Sequence, residues 1–240
     1  LVRACSALKD MCLGYGIPLL SGKDSMYVDG HLPGRYGEVH KVSASETMQF
    51  TTIGVIDDVS KCVTMESKVP GDLVYVLGVT RDELGASEYY AHLGYIGLNV
   101  PEVDVEELKK VYQALEQAVD KELTASIHGI YRGGTGIHLG LIALAGNFGF
   151  QADLYLLPCK WINRNDTSLF SVTAVRFIVT VDPARRDAFE ALFKNLPCAC
   201  VGQITEKPVY TLKGLDNRLI VSLPVSDLKA AWKKPFGDLI

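Results

Sequence analysis

Val105, Leu108, Val111, Tyr112, Leu115 and Val119 recur at helical spacing, with Glu106, Glu107, Lys109, Lys110 and Glu116 between them. A helix of about four turns with one apolar stripe must lay that stripe on a sheet or a second helix. The surrounding sequence supplies the sheet. Leu73 to Leu77, Val172 to Val181, Cys200 to Ile204, Val209 to Leu212 and Arg218 to Leu223 read as strands. Pro183 to Asn195 is helical, with Phe189, Leu192 and Phe193 on one face. A further helix is expected from Gly133-Gly134 to about Asn147; it is apolar nearly all round and so belongs in a core. Leu228 to Trp232 reads as a terminal helix that Pro235 ends. The order strand, helix, strand from 172 to 204 predicts an α+β or mixed α/β fold, with helices on one side of a sheet.

Upstream the pattern is looser. Val2 to Leu13 has helical spacing and stops at Gly14 and Gly16, and Ile17 to Leu20 reads as a short buried strand leading into a polar loop. Asp29 to Ser45 is polar and Gly-rich, an exposed excursion or a long hairpin. Met48 to Ile56 returns to strand character and stops at Asp57-Asp58. Turn-formers at Lys68-Val69-Pro70-Gly71-Asp72 predict a domain boundary. The chain starts at Leu1, inside a helical pattern, and is expected to be a piece of something longer.

With 24 Lys+Arg against 28 Asp+Glu in 240 residues and no block of like charge, nothing favours nucleic acid or an anionic membrane as a partner. No stretch approaches the roughly 18 apolar residues of a membrane span. Cys5, Cys12, Cys62, Cys159, Cys198 and Cys200 form no Cys-x-x-Cys pair. They read as reduced thiols of a cytoplasmic protein, not as a zinc site. Asn165-Asp166-Thr167 has the form of a glycosylation acceptor, and without a signal peptide it carries no weight.

The sharpest chemistry lies in Ser21-Gly22-Lys23-Asp24-Ser25-Met26. Amides near Gly22, the Lys23 ammonium and the Ser25 hydroxyl suit phosphate oxygens, and the rival reading is a polar turn in which Asp24 and Ser25 satisfy backbone groups. It is not a Walker A loop, since five residues separate Gly16 from Gly22 and Asp24 follows the lysine. The second candidate runs from Ser126 to Gly136 through His128, Tyr131, Arg132, Gly133 and Gly134. This Gly-rich turn enters a helix whose amide end favours an anion, and tight helix packing by small residues is the rival explanation. His128 is read equally as a hydrogen-bonded core histidine. Asp57-Asp58 suits a divalent cation or a simple turn. Ser87, in Gly85-Ala86-Ser87-Glu88-Tyr89, is read as a helix N-cap. His31, His40, His92 and His138 lie apart in sequence and suggest no common site.

Taken in order, several pieces resemble the second half of the phosphoribosylformylglycinamidine synthases of the AIR synthase superfamily. They are Gly16 to Met26, Gly71 to Gly78, Glu83 to Tyr89, His128 with Gly133-Gly134, Leu169-Phe170-Ser171 with Arg176-Phe177, and Gly202-Gln203-Ile204. The resemblance implies an AIR synthase-like C-terminal α+β domain at about 70–226, with a tail at 227–240. Residues 1–69 would be the end of the N-terminal, ATP-binding domain, whose upstream strands lie elsewhere.

It also implies an activity: an ATP-dependent ligase that turns formylglycinamide ribonucleotide into the amidine with ammonia from glutamine, in purine biosynthesis. The implied cofactors are ATP and Mg²⁺. The implied partners are the rest of the synthetase chain and a glutaminase, with a homodimer left open. By resemblance, Gly22 and Lys23 lie at ATP, Ser25 at substrate, and Asp24 or Asp57 is a candidate for metal. The 128–134 segment departs from the pattern: where the superfamily often reads His-Asp-x-Ser-Asp-Gly-Gly, this chain has Gly129, Tyr131 and Arg132, and Val172 stands where Glu often follows Phe-Ser. A half that kept its fold and lost one ligand site is therefore the alternative, as is a relative of the selenophosphate synthase or thiamine phosphate kinase type.

Overall fold

The computed structural model describes residues 1–23, 28–45 and 47–239. The chain divides into two compact units, Leu1–Val59 and the part from Ser60 onward.

In the first unit, α1 (Val2–Tyr15) ends at Gly16, as the spacing predicts. The segment after residue 28 is the long hairpin: β1 (Asp29–Pro33) and β2 (Val39–Ser43) pair antiparallel, with Asp29 opposite Ser43 and Pro33 opposite Val39. Two expected strands do not form. Ile17 to Leu20 and Met48 to Ile56 carry no ladder, and Leu20, Ile53 and Val55 are 85%, 85% and 92% exposed. An apolar extended segment becomes a strand only when its amides and carbonyls meet a neighbouring backbone, and within this unit neither segment finds one.

The second unit is a sheet with helices on both faces. In chain order it comprises β3 (Leu73–Leu77), α2 (Glu88–His92), α3 (Val105–Asp120), β4 (Ser126–Ile130), α4 (Gly134–Gly146), β5 (Gly149–Asp153) and α5 (Asn165–Phe170). There follow β6 (Arg176–Val181), α6 (Arg186–Leu192), β7 (Cys198–Thr205), β8 (Val209–Lys213), β9 (Leu219–Pro224) and α7 (Val225–Lys233). The sheet order is β4-β6-β3-β7-β5-β8-β9. Its neighbours are antiparallel except β5 and β8.

The central strand β3 reads Leu-Val-Tyr-Val-Leu, apolar at both parities, so both of its faces must be covered. Val74 and Val76 point to one core with Leu139 and Ile142 of α4, Phe150, Ile178 and Leu212. Tyr75 and Leu77 point to the other, with Val111 and Leu115 of α3 and Phe189 of α6. The expectation of helices on one side is thereby corrected: α3 and α6 cover one face, and α4 covers the other. Asp104 starts α3 by accepting the amides of Glu106 (2.9 Å) and Glu107 (3.0 Å), a side-chain cap for donors the helix cannot satisfy. The Tyr75 hydroxyl, buried on the α6 side, donates to Glu190 at 2.7 Å.

β3 ends at Gly78, whose φ is +85° and whose missing Cβ makes room for the Val175 carbonyl. Gly78→Ala meets both a left-handed backbone and a backbone clash, and is expected to lower the free energy of unfolding by about 2 kcal/mol or more. Urea unfolding followed by circular dichroism measures this, and an unchanged midpoint would refute it.

Candidate functional site

The two sequence-predicted loops fall in different units. Gly22 and Lys23 are exposed and lie outside any helix or strand, and Asp24 and Ser25 fall outside the described residues. Asp57 stands in an exposed bend and not at a strand end, because the strand expected before it does not form. Among the described residues no group of three or more His, Cys, Asp or Glu is arranged to hold a metal ion.

The second loop brings its residues together. β4 is an edge strand that delivers His128, the chain turns at Tyr131–Gly133, and α4 runs back beneath the strand. Gly134 has φ +76°, and a Cβ there would sit 2.6 Å from the Leu169 carbonyl oxygen and from Phe170. Its lack of a side chain lets α4 begin against the end of α5, which is the packing explanation for the glycine pair. The turn is closed by the Gly134 amide donating to the Tyr131 carbonyl at 2.9 Å.

His138, which shares no site with His31, His40 or His92, is brought against His128 by the return of α4. His128 Nε2 lies 2.8 Å from His138 Nδ1, and His138 Nε2 lies 3.0 Å from the Arg132 carbonyl oxygen. The Tyr131 ring covers the pair, its centroid 4.3 Å from that of His138 and 5.8 Å from that of His128. Arg132 points outward and pairs with Glu88 at the start of α2. Ser87 caps that helix by accepting the Tyr90 amide at 3.2 Å, as its sequence predicts. Next to Glu88, Tyr89 stacks on Phe170 at 4.5 Å and donates to Asp166 at 3.1 Å, and Asp166 also holds Arg164. Asn165 is engaged structurally, its side-chain oxygen accepting the Leu215 amide at 2.8 Å.

Beneath this face lies Arg176, 1% exposed. Its guanidinium donates to the hydroxyls of Thr80 (3.0 Å) and Thr135 (2.8 Å) and to the carbonyls of Ser171 (2.6 Å) and Thr173 (3.0 Å). Burial pulls its pKa down to about 9, and the Glu83 carboxylate opposes that pull. Glu83 is itself 8% exposed, and its Oε2 has no hydrogen-bond partner. Sequence reading left Arg176 as a motif residue; its signal was a lone arginine inside a β-branched, aromatic run.

Cys198 and Cys200 of β7 are held as protonated thiols. Burial pushes the Cys198 thiol up to about 12, and burial likewise raises Cys200. No helix among the described residues is long and apolar enough to cross a membrane.

Two outcomes follow. Removing Arg176 strands two hydroxyls and two carbonyls in the interior, so Arg176→Met is expected to cost about 3 kcal/mol or more. Arg176→Lys should not rescue it, because an ammonium cannot reach four acceptors in the plane of a guanidinium. Rescue by lysine in thermal unfolding would overturn this account. The second outcome concerns pH. Burial, first, and the neighbouring His138 hold the His128 pKa below 6.5; burial, then Arg176, hold His138 below it, against the pull of the Arg132 carbonyl. The unfolded chain therefore binds protons that the folded pair refuses. Stability from the pair is present above about pH 6.5 and is lost as pH falls below that value. The double substitution His128→Gln/His138→Gln should lose less stability than wild type between pH 7.5 and 5; an equal loss in both proteins would contradict the prediction.

The family described as AIR synthase related protein, C-terminal domain, matches residues 69–214. The chain is similar to the phosphoribosylformylglycinamidine synthase subunit PurL of Thermococcus sibiricus (strain DSM 12597 / MM 739), 26% identical over 231 residues, which are 96% of this chain and 30% of that protein. This chain thus spans about a third of the length of that relative. Among solved structures it is similar to T. maritima PurL complexed with FGAR, with a TM-score of 0.68 at 18% identity, covering 91% of this chain and 36% of that one. It is also similar to T. maritima PurL complexed with ATP, with a TM-score of 0.59 at 20% identity, covering 70% and 27%. The edge strand, glycine turn and returning helix that carry the histidine pair lie within the matched residues, and the chain belongs to the AIR synthase related family through that C-terminal domain.

Proposed function

We propose that this chain is part of a phosphoribosylformylglycinamidine synthase, an ATP-dependent ligase, and that it is inactive alone. The observation that carries the reading is the similarity to a protein of that name along 96% of the chain. In this reading residues 1–69 are the end of an ATP-binding N-terminal domain, 70–226 the C-terminal domain and 227–240 a tail. The exposed apolar segments Ile17 to Leu20 and Met48 to Ile56 support it, since they have strand character and would pair with strands supplied by the rest of the synthetase chain. The setting is cytoplasmic, with a glutaminase supplying ammonia, and a second copy of the chain remains a candidate partner.

Gly22 and Lys23 bind ATP phosphate, Ser25 contacts substrate, and the loop of His128, Gly133 and Gly134 is a second candidate ligand loop. Binding and orientation do most of the work, because amidine formation needs the activated formamide oxygen and ammonia held in line. Mg²⁺ is the cofactor implied beside the nucleotide, with Asp57, or Asp24 outside the described residues, as its candidate ligand; among the described residues no group of three or more His, Cys, Asp or Glu is arranged to hold a metal ion.

The second reading, a half that supports assembly without turning over ATP, is favoured by one observation. Arg132 stands where a carboxylate would serve a metal-nucleotide site, and it is engaged with Glu88. The chain joined to its upstream domain should release ADP in the presence of formylglycinamide ribonucleotide and ammonia, and Lys23→Ala should slow that release by about tenfold or more. Calorimetry with Mg-ATP separates the readings: binding lost on Lys23→Ala supports the ligase site, and no binding by the joined protein leaves the assembly role.

A further inference from the structure

The hydrogen bonds of the histidine pair fix where its protons sit. A backbone carbonyl only accepts, so His138 Nε2 must carry hydrogen to bond the Arg132 carbonyl at 3.0 Å. A neutral His138 then has a bare Nδ1. The atom 2.8 Å from it, His128 Nε2, must therefore be the donor. That leaves His128 Nδ1 as the pair's one nitrogen without a hydrogen bond. The His128 side chain as a whole is only half-buried. His138 itself is 1% exposed, and a buried imidazole with both nitrogens satisfied has no reason to change tautomer.

We infer that His138 is a positioning residue that holds His128 as the Nε2–H tautomer, so that the 128–134 loop presents a hydrogen-bond acceptor, His128 Nδ1, to a ligand group carrying a hydroxyl or amino donor. The inference rests on the reading of this loop as a second candidate ligand loop and specifies its polarity. At neutral pH His128 cannot donate to a phosphate oxygen, and phosphate contact falls to other groups. The charged and titratable groups around the pair agree with a neutral state. Arg176 of β6 lies on the His138 side, Tyr131 lies over both rings, and Arg132 of the turn is paired with Glu88 of α2. When a proton does arrive it enters at His128 Nδ1, where no existing bond is broken. A second would have to displace the His128–His138 bond.

Long-range proton–nitrogen correlation spectra of the whole chain between pH 5 and 8 test this without any activity, so the result is independent of the ligase reading. Expected at pH 7.5 is a His128 with protonated Nε2 and bare Nδ1, taking its proton at Nδ1 as the pH falls. His138→Leu should give His128 a mixture of tautomers and a higher titration midpoint. His138→Gln, which can accept from His128 and donate to the Arg132 carbonyl, should restore the wild-type signature. If the leucine variant does not fold, the glutamine variant decides alone. Inorganic phosphate at pH 7.5 should leave the His128 Nδ1 resonance in place. A wild-type His128 protonated at Nδ1 or mixed at pH 7.5, a glutamine variant without the Nε2–H signature, or a phosphate-dependent rise in the His128 midpoint would each overturn the inference.

Discussion

A guanidinium taken out of water needs acceptors in a plane, and Arg176 finds four of them on three segments of the chain. Thr80 follows β3, Thr135 is in the first turn of α4, and Ser171 and Thr173 lie between α5 and β6. Transferring such a charge to the interior costs several kcal/mol unless dipoles replace its hydration. Here the replacement comes from loops that would otherwise be free to move apart. None of the four acceptors is a carboxylate, and the nearby Glu83 acts at a distance. The cation therefore works as a spacer whose hydrogen bonds set the distance between three loops. The upper face, with the histidine pair, the Arg132–Glu88 pair and the Tyr89–Phe170 stack, hangs from that spacing.

Close backbone approaches continue the same arrangement. Val175, next to Arg176, has φ +63°, a left-handed conformation that a β-branched residue adopts only when its surroundings impose it. Its carbonyl fills the space left open by Gly78, while Gly134 admits the end of α5. Thr173 and Ser171 lock the same corner, their hydroxyls 2.9 Å apart and both directed at the Arg81 carbonyl. The strained Val175 thus sits between Arg176 and, two residues back, Thr173, both held by hydrogen bonds. Such a corner keeps a surface loop in one shape without a ligand.

What was legible in the sequence followed from periodicity. The amphipathic α3, the apolar α4, and the strands β6, β7, β8 and β9 all announce themselves through apolar spacing. β4 and β5 do not. Ser126-Ile-His-Gly-Ile and Gly149-Phe-Gln-Ala-Asp lack a β-branched run, and they are strands because β6, β7 and β8 offer backbone to pair with. The reverse holds for Met48 to Ile56, where pattern exists without a partner in its own unit. The histidine pair was hidden for a geometric reason: nine residues separate its members, and only the reversal at Gly133-Gly134 superposes the edge strand on the second turn of a helix. The signal was available in a histidine just before a glycine turn and another just after it.

The same loop also shows how a shared fold can change its chemistry. Against the acidic pattern that the superfamily often carries there, Gly129 and Arg132 remove two negative charges and add a positive one. At an exposed surface each such charge is worth less than about 1 kcal/mol to an ion beside it, and the three changes all act in the same direction. A divalent cation that two carboxylates would attract is therefore repelled here, and a guanidinium that is 80% exposed at its side chain is attractive to anions instead. Glu88 tempers that charge without cancelling it, since an exposed pair is held by less than about 1 kcal/mol and can open for a stronger partner. Metal-dependent work by this face would thus need ligands from outside the loop. The turn's tight hydrogen bonding, which the loss of two acids leaves untouched, is what remains for the loop to contribute.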